Sequence, residues 1–327
     1  MDSASAALNN SAANEASRPR WRLALAIAAA GMLVVLIFYA GLGVYGDTQI
    51  VHQPRKPVTL DPRSIAPQYD DVTFPSQGNH LTLRGWWFPG PTEIGGRALI
   101  LLHGRGQNRT DSDYGFDQIA HRLHDRGYAV LMFDLRAHGA SGGGVQSYGL
   151  HEQNDVRGAF HFVLSKGYAQ GRIAMIGVSY GAAAMLMAAP QLQGIGAMVS
   201  DSAYAEAWPV ITRQIRKQRP ELAWLKPDFA VSTAIRLMDG VDLPSVKPID
   251  AVRRAPSISI LFIHGTADDY VLPQNSTQLR AASANPASDL WLVPGAKHGD
   301  TIKRNDSEWL NHVTDFLDAR MPLRAVQ

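Results

Sequence analysis

A serine, an aspartate and a histidine, in that chain order, can carry acyl transfer, and this sequence holds one such set in suitable settings. Residues 173–184 read Ile-Ala-Met-Ile-Gly-Val-Ser-Tyr-Gly-Ala-Ala-Ala. That is an apolar run, a Gly-x-Ser-x-Gly turn and a small-residue helix. The order predicts a sharp turn that exposes the Ser179 hydroxyl at the end of a sheet. Gly177 and Gly181 lack a Cβ, so strand and helix can approach closely around it. A second Gly-x-Ser-x-Gly occurs at Gly139–Gly143, around Ser141. It has no strand before it and no helix after it, so Ser179 is the expected nucleophile.

A serine hydroxyl needs a base within hydrogen-bond reach and an acid that orients the base. Three histidines follow Ser179: His264, His298 and His312. His264 precedes Gly265 at a strand end and is expected to be locked in a turn. His312 falls in an amphipathic helix and reads as a surface or packing residue. His298 lies in the loop Pro294–Asp300 after the last strand, where a base could reach the serine. The acid is expected after a late strand, and residues 258–269 end in Asp268-Asp269. Asp268 is the expected partner, with Asp269 as near rival and Asp201, after the strand that follows the serine helix, as distant rival. Such carboxylates can also serve only to bind turn amides.

Acyl transfer further requires donors aimed at the developing oxyanion. The backbone N–H of Tyr180 is one candidate. The other is expected from the loop His103-Gly104-Arg105-Gly106, with the Arg105 N–H preferred and Gly106 as the alternative.

These residues need a scaffold. Apolar strands are predicted at Ala98–Leu102, Ala129–Phe133, Ile173–Val178, Ile195–Ser200, Ile258–Ile263 and Leu290–Val293. Helical stretches fall at 113–126, 151–166, 180–189, 273–283 and 306–319. The alternation predicts a parallel, doubly wound α/β sheet covered on both faces. Val72–Phe74 and Leu81–Trp87, around Gln77-Gly78-Asn79, predict an antiparallel hairpin at one edge. The alternation lapses over 203–254, which predicts a helical, lid-like insertion over the sheet's end.

The N-terminal part is different. Residues 1–22 read as a disordered tail ending in Arg18, Arg20 and Arg22. Leu23 to Tyr45 contains no charged residue and as a helix would span about 34 Å, against about 30 Å of bilayer hydrocarbon. A buried helix usually keeps a polar face, and a secretory h-region is shorter, so a transmembrane signal anchor is expected over 23–45. Three arginines at its entrance against Arg55 and Lys56 beyond its exit place the N-terminus in the cytoplasm and the domain outside it. Residues 46–70, with four prolines, read as a linker to a domain spanning 71–323.

Composition removes several chemistries. The 327 residues include no cysteine, which excludes disulfides, thiolate metal sites and a cysteine nucleophile. A net charge of +2 without a basic, aromatic-studded stripe makes no case for nucleic acid. There is no zinc-protease motif, phosphate loop or complete dinucleotide fingerprint, so no metal or organic cofactor is expected.

His103-Gly104-Arg105-Gly106, Asp134–Ser141, Gly177–Gly181, His264–Asp268 and Gly295–His298 together resemble the marks of the α/β-hydrolase superfamily, from about Asp71 to Leu323. The resemblance implies an eight-stranded, mostly parallel sheet and a triad of Ser179, Asp268 and His298. It implies structural roles for Asp134, Arg136 and His138 in a loop beside the site. The similarity is to a branch of small esterases, thioesterases and serine aminopeptidase-like proteins, some with a membrane anchor. The expected activity is ester hydrolysis of a small acyl substrate through an acyl-enzyme, by a protein bound to the membrane through its N-terminal helix. Aminopeptidase or thioesterase activity is the alternative, and a membrane-tethered binding protein without turnover is the alternative of another class. No oligomeric state follows from the sequence.

Overall fold

The computed structural model describes residues 20–78, 81–90, 96–304 and 306–322. Most of the tail expected over 1–22, the turn residues Asn79 and His80, and the chain beyond 322 lie outside them.

Eight strands form one sheet: β1 (Asp70–Pro75), β2 (Thr82–Phe88), β3 (Arg97–Leu102), β4 (Tyr128–Phe133), β5 (Ile173–Val178), β6 (Ala197–Asp201), β7 (Ile260–Gly265) and β8 (Asp289–Val293). Their spatial order is β1-β2-β4-β3-β5-β6-β7-β8. β1 pairs antiparallel with β2, and β2 antiparallel with β4. Every other pairing is parallel. The apolar strand sequences follow from burial on both faces. Ile100, Leu102, Leu131 and Phe133 enter one core, and Leu99, Leu101, Val130 and Met132 the other.

The helices are α1 (Arg20–Ile50), α2 (Phe116–His124), α3 (Glu152–Ser165), α4 (Tyr180–Ala188), α5 (Ala207–Gln218), α6 (Asp228–Asp239), α7 (Pro248–Arg253), α8 (Gln274–Ala282), α9 (Thr301–Arg304) and α10 (Asp306–Arg320). Trp309, Phe116 and Leu317 fill the core on the α2 and α10 side. The α4 side carries Phe160, Met185 and Leu186.

β6 and β7 begin two residues later than the apolar runs suggest. Ile195 and Ile258 are buried but sit in turns, each donating its N–H to the carbonyl three residues back (Leu192 and Ala255). Apolar side chains can enter a core before the strand starts. In consequence His264 lies inside β7 rather than in a turn.

The insertion is helical as expected, but only α5 and α6 form the lid-like part. α7 packs on α4 and α8, with Ala251 and Val252 fully in the core.

α1 continues beyond the expected end at Tyr45 for more than another turn. Its side chains from Trp21 to Phe38 are all exposed, and burial begins at Tyr39. There the Tyr39 hydroxyl donates to the Leu225 carbonyl at 2.9 Å. Further along, α1 lies against α6. Gly46 permits this: a Cβ there would stand 2.6 Å from Val231 Cγ2.

The stretch read as a linker is a strap held to the domain. Val51 is fully buried and its carbonyl accepts from the Gln146 N–H at 2.9 Å. The Arg55 guanidinium donates to the carbonyls of Ser141 and Gly143. Asn108 Nδ2 donates to the Pro57 carbonyl at 2.9 Å, and Ile65 is buried in the sheet's core. Prolines keep the strap extended, while its contacts tie it down.

Gly46→Leu in the full chain should separate α1 from α6 through this clash. Limited proteolysis should then cut the 219–227 connection faster than in the parent, and equal cutting rates would contradict the packing.

Candidate active site

Strand β5 runs straight into α4, and Ser179 occupies the turn with φ 51° and ψ −111°. A positive φ on a residue with a Cβ costs about 1–3 kcal/mol and persists only where the surroundings impose it. Here the Ser179 N–H donates to the Asp201 carbonyl at 2.8 Å, and its own carbonyl accepts from the Ala183 N–H at 2.9 Å. A Cβ on Gly181 would come within 2.2 Å of the Leu102 carbonyl oxygen, and one on Gly177 within 2.7 Å of Ala182 Cα. No side chain fits at either position.

The structure brings Ser179, His298 and Asp268 into one hydrogen-bonded line. His298 Nε2 lies 2.9 Å from Ser179 Oγ, and His298 Nδ1 lies 2.7 Å from Asp268 Oδ2. A proton on Nδ1, donated to the carboxylate, leaves the Nε2 lone pair facing the serine hydroxyl. The other oxygen, Asp268 Oδ1, accepts from the N–H groups of Tyr270 and Val271, each at 2.9 Å.

Asp268 has a further partner in His264, whose place before Gly265 marks it in sequence only as a turn residue. His264 is fully buried, and its Nε2 lies 2.8 Å from the Val271 carbonyl and 3.1 Å from Asp268 Oδ2. Its Nδ1 accepts from the Ser276 hydroxyl at 2.6 Å. The sequence signal was there, in the four-residue spacing of His264 and Asp268 across a strand end. Burial alone would raise the Asp268 carboxyl, but the hydrogen bonds from His264 and His298 outweigh it and hold the group at about 2. Tyr270 is a second residue that the sequence left unmarked. Its ring sits 5.0 Å from the His298 ring.

The rivals are occupied elsewhere. Ser141 Oγ donates to the Asp134 carbonyl at 2.6 Å and accepts from the Arg84 N–H at 2.9 Å, in a buried loop. Asp201 Oδ2 accepts from the Tyr114 hydroxyl at 2.5 Å and from Trp309 Nε1 at 3.2 Å. Asp269 is exposed and pairs with Lys217 at 2.6 Å. His312 stacks on Trp291, with ring centroids 4.4 Å apart.

The loop after β3 is pinned from several sides. The Gly106 N–H donates to His138 Nε2 at 3.2 Å, so this amide already has an acceptor, and Arg105 is the better placed oxyanion candidate. Neither the Arg105 nor the Tyr180 N–H has a backbone acceptor outside regular elements among the described residues. Both residues line the cavity over Ser179. The His138 Nδ1 proton goes to the Arg136 carbonyl at 2.7 Å. Burial, and then the neighbouring His103, push His138 well below the ordinary histidine range, consistent with this neutral form. Asp134 accepts from the Arg109 N–H at 2.6 Å, from its guanidinium at 2.7 Å and from the Ala140 N–H at 2.8 Å. Arg136 is paired with buried Asp155 at 2.7 Å.

Two cavities meet at Ser179. One, of about 410 Å³, runs between α1, α5 and α6 and is walled by Leu42, Tyr45, Ile211, Ile215, Val231 and Tyr270. The other, of about 430 Å³, is more open and bordered by Gly104, Gln107, Asp113, His298, Asp300 and Lys303. Both are within the usual range for ligand sites, about 300–1,000 Å³. No cofactor was expected from the sequence. The one group with metal-ligand spacing among the described residues is Asp47, His52 and Asp239, whose ligand atoms lie within 4.8 Å of one another at the end of α1. None of the three lines either cavity.

Sheet order and strand–turn–helix elbow define a hydrolase of the α/β-hydrolase superfamily. Residues 51–232, more than half of the chain, match the family model of X-Pro dipeptidyl-peptidases, the S15 family, and the chain belongs to that family. The chain is similar to the esterase Pf2001 of Pyrococcus furiosus, with a TM-score of 0.69 and 25% identity over 83% of this chain and 98% of that one. It is 28% identical to the Bacillus subtilis protein YqkD over 68% of this chain and 71% of that protein. It is 26% identical to Escherichia coli YfhR over 72% and 76% of the respective chains.

Because the Asp268 carboxyl is held at about 2, below its ordinary 3.8, it adds stability that is fully present above about pH 4 and lost as pH falls through about 2. His264→Phe removes one of the groups responsible. The variant should be less stable near neutrality, and its melting temperature should fall less steeply between about pH 4 and 2. An unchanged slope in that window would separate His264 from Asp268.

Proposed function

We propose that this protein is a membrane-anchored serine hydrolase that cleaves ester-type acyl bonds. The observation that carries the reading is the line Ser179–His298–Asp268 beneath a cavity lined by Arg105 and Tyr180. His298 Nε2 takes the hydroxyl proton as Ser179 Oγ bonds to the substrate carbonyl carbon. The oxygen of that carbonyl becomes negative, and the N–H groups of Arg105 and Tyr180 are the donors we assign to it. The bond to the leaving alcohol then breaks with proton return from His298, leaving an acyl-Ser179 ester. Water gives a proton to His298 and its oxygen to the acyl carbon. Ser179 Oγ departs with that proton, releasing the acid.

The likeness to the Pyrococcus esterase supports the ester reading. The S15 family match supports a second one, cleavage of a dipeptide from a peptide whose second residue is proline. One assay on the full chain in detergent separates them. Aryl butyrate hydrolysis with no turnover of X-Pro arylamides is expected, and the reverse pattern would favour the peptidase. Ser179→Ala should lower kcat by about 10⁴-fold or more and abolish labelling by a fluorophosphonate. Full activity in this variant would sink the mechanism.

α1 is long and apolar enough to span a bilayer, with a mean hydropathy of 2.6 over its most apolar 18 residues. We assign it as the anchor, with the N-terminus cytoplasmic and the hydrolase domain outside, from the arginines at its entrance. Added protease should digest the domain once only the outer compartment is opened. Protection under that condition would reverse the topology.

A further inference from the structure

We infer that the substrate is a single-chain lipid ester taken directly from the bilayer that holds α1. This rests on the membrane-anchored hydrolase reading above and narrows its substrate class.

The exposed part of α1, from Trp21 to Phe38, is about 27 Å long, close to the hydrocarbon thickness of about 30 Å. The bilayer surface therefore falls near Tyr39, where α1 first meets the lid. Tyr39 is bonded there to Leu225. From that level α1 and α6 run side by side in the same direction: Tyr39 meets Leu225 just before α6, Gly43 faces Ala230 and Ala234, and beyond the end of α1 His52 Nε2 lies 2.9 Å from Asp239, the last residue of α6. The start of α6 is thus the lid's membrane-proximal end. That end carries Trp224 and Phe229, 78% and 80% exposed, large apolar side chains left uncovered among the described residues. Exposed Lys226 lies between them, a cation suited to lipid headgroups. Aromatics beside a basic residue at this depth fit an interfacial surface.

The cavity between α1, α5 and α6 starts at the same level. Its wall includes Leu42, about 5 Å along α1 from Tyr39, and Pro227 at the foot of α6. It ends at Ser179, where the second cavity opens on the other side with Gln107, Asp300 and Lys303. A nucleophile between a chamber walled by Leu42, Ile211, Ile215 and Val231 and one bordered by the charged Asp113, Asp300 and Lys303 fits an amphiphile, acyl chain toward α1 and hydroxylated alcohol toward the loops. The anchor is a wall of this site as well as a tether, since Tyr45 and Gly46 of α1 border the acyl side.

The test uses the full chain in phosphatidylcholine nanodiscs with two substrates: monooleoylglycerol carried in the bilayer, and water-soluble nitrophenyl butyrate. The parent should hydrolyse both. Trp224→Ser with Phe229→Ser should cut monooleoylglycerol turnover about tenfold or more and leave the butyrate rate within about twofold. Butyrate turnover without any on the bilayer ester overturns this inference while sparing the hydrolase reading. Loss of both substrates in the parent overturns the hydrolase reading itself. A double variant that keeps full monooleoylglycerol turnover, or loses both activities equally, also overturns the inference, because the face would then not serve lipid entry.

Discussion

The close passage of α4 over the end of β3 is the constraint on which the site depends. At Gly181 the gap admits no Cβ, because the Leu102 and His103 carbonyls already fill it. That approach sets three things together. It bends the chain so that Ser179 takes a positive φ. It places the Tyr180 N–H at the open first turn of α4, where helix amides lack intrahelical partners. It also brings the loop after β3 beside the serine. The loop is then held by groups that do no chemistry: Asp111 Oδ2 accepts from the Gly104 N–H at 2.7 Å, and His138 accepts from Gly106. Neutral, buried histidines suit this task, since each presents one donor and one acceptor with no charge to solvate.

Arg105 joins this loop to α1. Its backbone borders Ser179, while its guanidinium donates to the Ile50 carbonyl at 2.7 Å and to that of Gln49 at 3.2 Å, at the C-terminal end of α1. A cation there meets the negative end of the helix dipole and its unpaired carbonyls. The lid is bound to the site from the other side. Gln214 Nε2 of α5 donates to the Tyr270 carbonyl at 2.8 Å, two residues from Asp268. α1, the lid and the loops around Ser179 therefore form one connected body.

Much of this was legible in sequence because it is local. Strand before and small-residue helix after distinguish Ser179 from Ser141, and both serines went where those flanks send them. Asp268 and His298 followed from chain order and position after late strands. What stayed hidden depends on packing between distant segments. His264 reads as a turn residue because the apolar run Ile258–Ile263 ends two residues before β7 does. Tyr270 carries no motif. The strap from Val51 onward looked like a linker, since proline-rich composition reports extended backbone and says nothing of the carbonyls that Arg55 finds across the fold.

By itself the sequence determined the parallel α/β sheet, the serine on its turn, the positions of Asp268 and His298 after late strands, and an N-terminal helix apolar on all sides. These follow from periodicity, glycine placement and residue order, which act over a few neighbouring residues. Only the tertiary structure decided that α1 outlasts its apolar run and walls the cavity over Ser179, and that His264 shares Asp268 with His298. Those contacts join segments far apart in the chain, where the deciding quantities are the gap left by a glycine such as Gly46 and the direction of a hydrogen bond.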